Sequence, residues 1–264
     1  MLPKEIRQAC LAVLFAAAFC LPGSRLNART LLDEQLERTG RTVDAFWQEI
    51  ASFACTEMLS QEKLNNKGKK EFKSESTFDY LALTRLEDDR LTIEELRLAQ
   101  KNKSDKGKKP SLLSTNGFPT LLLIFHPQYQ SDYSFQMNQN GIGGDGLAQV
   151  SFEQVAGRPS TCALTLKDRI YPLSLKGVAW IDRETGIIRR IKAGLISPLK
   201  DINIQSFDID VVYKSQVFSS DKEMKWLPSI ATIDVRTELQ RWRNIHLFSK
   251  YKRFTVLSVE SELR

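Results

Sequence analysis

Histidine is scarce in this 264-residue chain, with two residues, His126 and His246, set far apart. No His-Glu-x-x-His helix motif, no Gly-x-Ser-x-Gly elbow and no closely spaced pair of metal ligands occurs, so zinc-peptidase and serine-hydrolase chemistry lack their usual parts. The glycine run Gly141 to Gly146, "GIGGDG", is not followed by Lys-Ser/Thr or by a helix start, and reads as a link between strands rather than a phosphate cradle. No nucleophile stands beside a base, and the expectation is a protein without catalytic residues, metal or cofactor. Charge of neither sign dominates: 38 basic residues face 32 acidic ones, which is not the footprint of a nucleic-acid-binding protein.

A long apolar run is missing too, and the one short run sets the compartment. Lys4 and Arg7 precede Ala9 to Leu21, fewer than the roughly 20 residues a membrane-spanning helix needs. Small or polar residues follow as far as Ala28. Residues 1–28 therefore read as a secretory leader cleaved after Ala28, or near Gly23, with an uncleaved membrane anchor as the alternative, leaving 29–264 as one exported domain, periplasmic or secreted. Phe19 precedes Cys20 where lipid attachment wants a small residue. Removing Lys4, Glu5, Arg7 and Arg25 with the leader leaves an excess of four positive charges. Many of the cations crowd two turns, Lys63, Lys67, Lys69, Lys70 and Lys73 in one and Lys101, Lys103, Lys106, Lys108 and Lys109 in the other. These read as solvated loop tips, with contact to an anionic envelope surface as the functional alternative. Of four cysteines, Cys55 and Cys162 remain after cleavage, either as a disulfide suited to an oxidising compartment or as two buried thiols.

Periodicity divides the mature chain. Val43, Phe46, Trp47, Ile50, Phe53 and Ala54 recur at helical spacing after Thr42, a candidate N-cap, which predicts an amphipathic helix from Thr42 to about Cys55. Period two then takes over in Thr56 to Leu64, Glu71 to Arg85 and Leu91 to Leu98. A Lys, Ser and Gly-rich linker from Lys101 to Gly117 leads to "PTLLLIFHP", read as a brief buried helix from Pro119 to His126, or else a central strand. Strands return at Tyr133 to Asn138, Leu147 to Val155, Ala163 to Lys167, Leu173 to Asp182 and Ile187 to Ile196. Three long ones finish the chain, Ile202 to Val217, Trp226 to Leu239 and Trp242 to Glu260. No helix-length crossover separates these strands, so they are expected to pair antiparallel and to curl. The expected fold is α+β, mostly antiparallel: about ten strands in a half-open barrel covered by the N-terminal helix and the short middle one.

The concave face of such a sheet is lined with carbon. Phe46, Trp47, Ile50 and Phe53 of the helix, Leu122 and Phe125 of the middle segment, and Trp180, Val211, Tyr213 and Phe254 of the strands are the candidate ligand-contacting residues. Val235 shares the inward parity. "QRWRNIH", Gln240 to His246, offers Arg241, Trp242 and Arg243 either as a headgroup contact or as a tight turn. "GVAWIDRETGIIRRI", Gly177 to Ile191, is a hairpin in which Asp182 is expected to accept from turn amides and Gly186 to take positive φ. An acidic residue beside a tryptophan is turn chemistry first and catalysis a distant second.

With the leader, the helix opening "VDAFWQEIASF", the strand meander, "PTLLLIFH" and this hairpin, the chain resembles the periplasmic lipoprotein carriers, LolA-like outer-membrane lipoprotein-sorting proteins, across most of residues 40–260. The resemblance implies an incomplete β-barrel whose concave face, lidded by helices, receives lipid or lipoprotein acyl chains. The Lys-rich loops and "FHPQY" depart from that family. Two functions follow as expectations: a carrier of an apolar or amphipathic ligand, and a structural or interaction module of the cell envelope with a solidly packed core.

Overall fold

The computed structural model describes residues 30–87, 90–100, 119–138, 146–166, 169–218 and 224–254. The expected leader, the second lysine-rich run, most of the "GIGGDG" stretch, Asp88-Asp89, the turn at 219–222 and positions 255–260 lie outside the described residues. The first element is a helix, α1 (Leu31–Glu49), and it begins well before the Thr42 start that spacing predicts. Thr30 caps it: its hydroxyl accepts from the Asp33 amide at 3.1 Å, and Asp33 accepts in return from the Thr30 amide at 3.0 Å. A reciprocal capping box satisfies two orphan donors and stabilises a helix start by about 1 kcal/mol. Gly40 does not break the helix, because it is a contact point. A Cβ there would lie 2.9 Å from Gln130 Nε2 and 3.1 Å from Pro127 Cγ, and Gln130 bonds the carbonyls of Leu36 and Phe125 from that seat.

The helix also ends earlier than expected. A 3₁₀ turn over Ile50–Ser52 leads directly into β1 (Phe53–Asn65), whose inward residues Phe53, Cys55, Glu57 and Leu59 are all buried. The period changes at Phe53, so Phe53 and Cys55 belong to a strand and not to the helix. β2 (Lys70–Glu87) and β3 (Arg90–Ala99) complete the first meander. The short middle helix is α2 (Thr120–Leu123), with Pro119 at its N-cap; the strand alternative is not adopted. Then come β4 (Tyr133–Met137), β5 (Leu147–Gln154), β6 (Ala163–Leu166), β7 (Arg169–Pro172), β8 (Leu175–Asp182), β9 (Ile188–Leu195), β10 (Ser206–Val217), β11 (Met224–Arg236) and β12 (Gln240–Arg253). The segment expected to open β10 at Ile202 instead holds a 3₁₀ turn, Lys200–Ile202, closed by Asn203 in the left-handed region.

Ten strands form one open antiparallel sheet in the order β3-β2-β1-β12-β11-β10-β9-β8-β5-β4. The strand at Ala163, expected in that sheet, pairs only with β7 in a separate ribbon. The first meander joins the rest through β1 and β12, with twelve registered pairs between Phe53↔Arg253 and Asn65↔Gln240. Register shifts in the β1–β12, β1–β2, β8–β9 and β10–β11 ladders add the bends that curl a long sheet. The concave face is then filled from above. Leu121, Leu123, Ile124 and Phe125 have essentially no exposure and pack with Val150, Leu175, Ile181, Ile191, Val211 and Ile233.

The convex face is polar by contrast, with Arg190 clasping Asp210 through two bonds of 2.8 and 2.5 Å and Arg241 and Arg243 both holding Asp234. The Cys55–Cys162 disulfide is not formed: both are buried free thiols. Each has a partner of its own, Cys55 the Tyr251 hydroxyl and Cys162 the Thr120 hydroxyl at 3.2 Å.

Candidate functional site

The β8–β9 hairpin turn positions the helix. Asp182 Oδ1 accepts from the Glu184 and Thr185 amides and from the Thr185 hydroxyl at 3.2, 3.0 and 2.8 Å, and Gly186 sits at φ 74°. Burial works against ionisation of Asp182, but the Arg189 guanidinium and the Thr185 donors outweigh it and hold the carboxyl at about 2. The stiffened turn lies against α1. Thr42 donates to the Thr185 carbonyl at 2.9 Å, Gln35 donates to the Asp182 carbonyl at 3.3 Å, and Arg38 donates to the Arg183 carbonyl. At the other end of the helix, Glu49 pairs with Lys225 at 2.9 Å and Arg253 at 3.4 Å.

Between these attachments α1 stands off the sheet and leaves a cleft of about 430 Å³. Val43, Phe46, Phe53, Leu122, Ile188 and Tyr213 supply its walls, Trp226 closes one side, and Arg38, Arg41, Thr42, Glu49 and Lys225 stand round it. Arg189 stacks on Trp226 with its guanidinium carbon 3.3 Å from the ring centroid. Tyr213 and Trp226 each carry a polar atom, the hydroxyl and Nε1, that has no exposure to the cleft and no partner among the described residues. A smaller void of about 30 Å³ lies beyond Phe46 and Phe53, among Ile50, Cys55, Tyr80 and Phe248. A second groove of about 670 Å³ is lined mostly by polar side chains, among them Glu34, Gln35, Asp182 and Glu184, and it reaches Leu31 and Gly146 at the borders of the described residues.

Four of the ten candidate contact residues meet in the cleft: Phe46, Phe53, Leu122 and Tyr213. Trp47, Ile50, Phe125 and Val211 are buried core residues that do not line it, and Val235 joins them. Trp47 and Phe46 are neighbours on a helix and so point about 100° apart; the first faces the sheet and the second the cleft. Trp180 is on the convex side, where Arg190 stacks on it at 5.3 Å. Its strand neighbours Ala179 and Ile181 take the buried parity, which turns Trp180 away from the concave face. Phe254, just past the end of β12, is 42 % exposed and also lies away from the cleft. Arg241 and Arg243 bind Asp234 rather than standing free for a headgroup. Of the first lysine cluster, Lys63, Lys70 and Lys73 pair with Glu71, Glu62 and Glu75.

The sequence reading missed a polar cluster on the inner face. Glu57 on β1 has no exposure; His246 on β12 bonds it at 2.6 Å through Nδ1, and Arg97 reaches over from β3 with two bonds of 2.6 and 3.1 Å. Arg97 also meets Glu95 at 2.9 Å and lies over the Tyr80 ring. Burial disfavours the charge on Glu57, yet the His246 and Arg97 bonds win and its pKa falls below the ordinary value. Burial lowers that of His246 more than its Glu57 bond raises it, so the imidazole stays neutral. The signal was readable: Glu57 occupies the same parity as Cys55 and Leu59, and His246 that of Asn244 and Phe248. Arg97 ties β3 across β2 to β1, which makes the cluster a brace at this end of the sheet.

The Cys55 thiol is pushed up to about 12, chiefly by burial, and cannot act as a thiolate near neutrality. Among the described residues no three of His, Cys, Asp and Glu converge on a point that would hold a metal ion, and no helix is long and apolar enough to cross a membrane.

No protein-family model and no curated protein matches the chain. Among solved structures, the chain is similar to a domain from Vibrio parahaemolyticus described as an outer membrane lipoprotein-sorting protein, at 11% identity and a TM-score of 0.46, covering 86% of this chain and 94% of that one.

Proposed function

We propose that the mature chain is an exported envelope protein that holds an apolar or amphipathic ligand in the cleft beneath α1, without chemical turnover. The observation that carries this reading is the cleft itself: about 430 Å³ of space walled by Val43, Phe46, Phe53, Leu122 and Ile188, inside the roughly 300–1,000 Å³ range of small-ligand pockets. The rest of the concave face is packed by Leu121 to Phe125, so capacity is confined to this cleft. That suits a single chain better than the several acyl chains of a lipoprotein anchor. Each ligand methylene buried there contributes roughly 0.8 kcal/mol. The second reading, an interaction module of the envelope, is supported by that same solid packing.

The experiment is native mass spectrometry of the detergent-free protein from its host, joined to titration with a dansyl-labelled fatty acid. Wild-type protein is expected to carry lipid and to bind the probe saturably. Phe46→Ala enlarges the cleft and changes probe affinity, whereas Trp47→Ala removes a core side chain and lowers stability by about 3–5 kcal/mol with the cleft wall intact. No co-purified lipid and no saturable binding would leave the interaction module as the better account.

A further inference from the structure

Resting on that reading, we propose that Phe46 is the stop that sets how long an alkyl chain the cleft accepts, and that the void behind it is the unused end of the same site. The two spaces share a partition. Phe46 and Phe53 line both the cleft of about 430 Å³ and the void of about 30 Å³, whereas Val43 and Leu122 line the cleft alone and Ile50 and Leu227 the void alone. Val43, Phe46 and Ile50 follow one another at spacings of three and four, which places them on one face of α1 and its C-cap. A rise of about 1.5 Å per residue sets Val43 and Ile50 about 10 Å apart along the helix, and Phe46 stands between the spaces that they line.

Of the two partition residues, Phe53 is locked. It is 5% exposed, pairs across the sheet with Arg253, packs its ring 5.4 Å from that of Phe218 and lies under the Arg253 guanidinium at 5.7 Å. Phe46 is half-buried, so it can be cut back with less loss of core. It packs against the main core and against the smaller cluster of Phe53, Phe218 and Leu227, and a chain that pushed it aside would give up contacts with both. The ring therefore holds as an end wall. Behind it, Ile50, Ala82, Leu227 and Phe248 are among the walls of the void and suit a methyl end. At about 30 Å³ the void matches the liquid volume of one water molecule, so most of the room gained by truncating Phe46 is the space of the ring itself, with the void as its extension.

The test is calorimetric titration with straight-chain saturated fatty acids from octanoate to palmitate, each below micelle formation, on wild type, Phe46→Ala, Phe46→Leu, Val43→Ala, Ile50→Ala and the double variant Phe46→Ala/Ile50→Ala, with thermal unfolding of each alongside. Affinity is expected to rise roughly fourfold per added methylene while the chain still finds apolar wall to cover, and to level off at the length that meets Phe46. Phe46→Ala moves that break to chains longer by about two carbons or more, because the truncated atoms leave their space behind, and Phe46→Leu moves it part of the way. Val43→Ala, which enlarges the cleft on its own side of the partition, changes affinity at every length without moving the break. Ile50→Ala leaves the break in place while Phe46 is present and extends it further once Phe46 is alanine, a coupling that independent sites do not show. The same break in wild type and Phe46→Ala, or an equal shift from Val43→Ala, overturns the stop and keeps the cleft as a lipid site. Where Phe46→Ala does not fold, Phe46→Leu decides in its place, and an unmoved break there overturns the stop. Folded wild type that binds none of the fatty acids overturns the reading on which the proposal rests.

Discussion

Replacing Gly186 by alanine tests the hairpin turn as the support of α1. Gly186 has φ 74°, and a Cβ built there would lie 2.8 Å from the Arg38 carbonyl carbon and 2.9 Å from both the Arg38 oxygen and the Thr39 nitrogen. Two penalties are therefore superposed. An L-residue in the left-handed region costs about 1–2 kcal/mol, and driving a methyl into helix backbone that cannot rotate aside adds about 1–3 kcal/mol. Gly68 and Gly157 separate the two. Their φ values are 75° and 78°, and nothing lies within 4 Å of the Cβ position at either. Gly68→Ala and Gly157→Ala should each lose only the conformational part, roughly 1–2 kcal/mol, while Gly186→Ala loses roughly 2–5 kcal/mol.

The assay is equilibrium urea unfolding of the three variants beside the parent. The expected signature is a lower midpoint with an unchanged slope, since the slope reports surface exposed on unfolding and not a local clash. Thermal midpoints should fall in the same order, at roughly 2–4 °C per kcal/mol for a domain of this size. Equal losses at all three glycines would refute the reasoning, because they would mean that the turn bears no packed contact with the helix.

Acid should unfold the protein earlier than its surface carboxylates require. Burial lowers the pKa of His246 relative to the unfolded value of about 6.5, so the unfolded chain binds the extra proton and stability is lost as pH falls below that value. Glu57, also lowered, adds to the loss in the carboxylate range. The urea midpoint should drop between pH 7 and pH 5 and do so less steeply in His246→Gln; a flat midpoint in the parent over that window would sink the assignment. The thiols of Cys55 and Cys162 should resist iodoacetamide near pH 8 while folded and both react in urea, because burial raises Cys55 to about 12 and raises Cys162 as well. Rapid alkylation of Cys55 in the native protein would contradict its placement.

The sheet was legible because strands announce themselves locally. Alternation placed nearly every strand within a few residues, and the Asp182 and Gly186 roles in the hairpin were plain from turn chemistry. What failed to show was long-range or context-bound. Nothing in the text of β1 names β12 as its neighbour, and the pairing of Leu164 with Tyr171 in a separate ribbon looks like any other hairpin. The helix start was missed although Thr30-x-x-Asp33 is a readable cap. Gly40 lies inside the helix, and the packing of Pro127 and Gln130 on it explains its place there. The cleft was half visible: the aromatic face of α1 could be read, but not that Phe46 and Trp47 part company there, nor that Trp226 and Arg38 complete the walls.

That division follows from how the helix is held. Gln35, Arg38 and Thr42 bond the hairpin, Gly40 seats the segment after α2, and Glu49 takes Lys225 and Arg253. Attachment at three places along α1 sets its height above β10 and β11, and the side chains on its near face then reach the sheet only where they are long enough. Val43 and Trp47 do reach it and are buried. One step round the helix, Thr42, Ala45 and Phe46 face a gap instead, and the cleft is what remains. Its walls are fixed by contacts that exist without ligand, so the proposed binding would require little ordering of the chain, which removes one of the costs of association. The same attachments set a limit: a ligand too wide for the gap can enter only by breaking the hairpin bonds or the Glu49 pairs, which favours one chain over several.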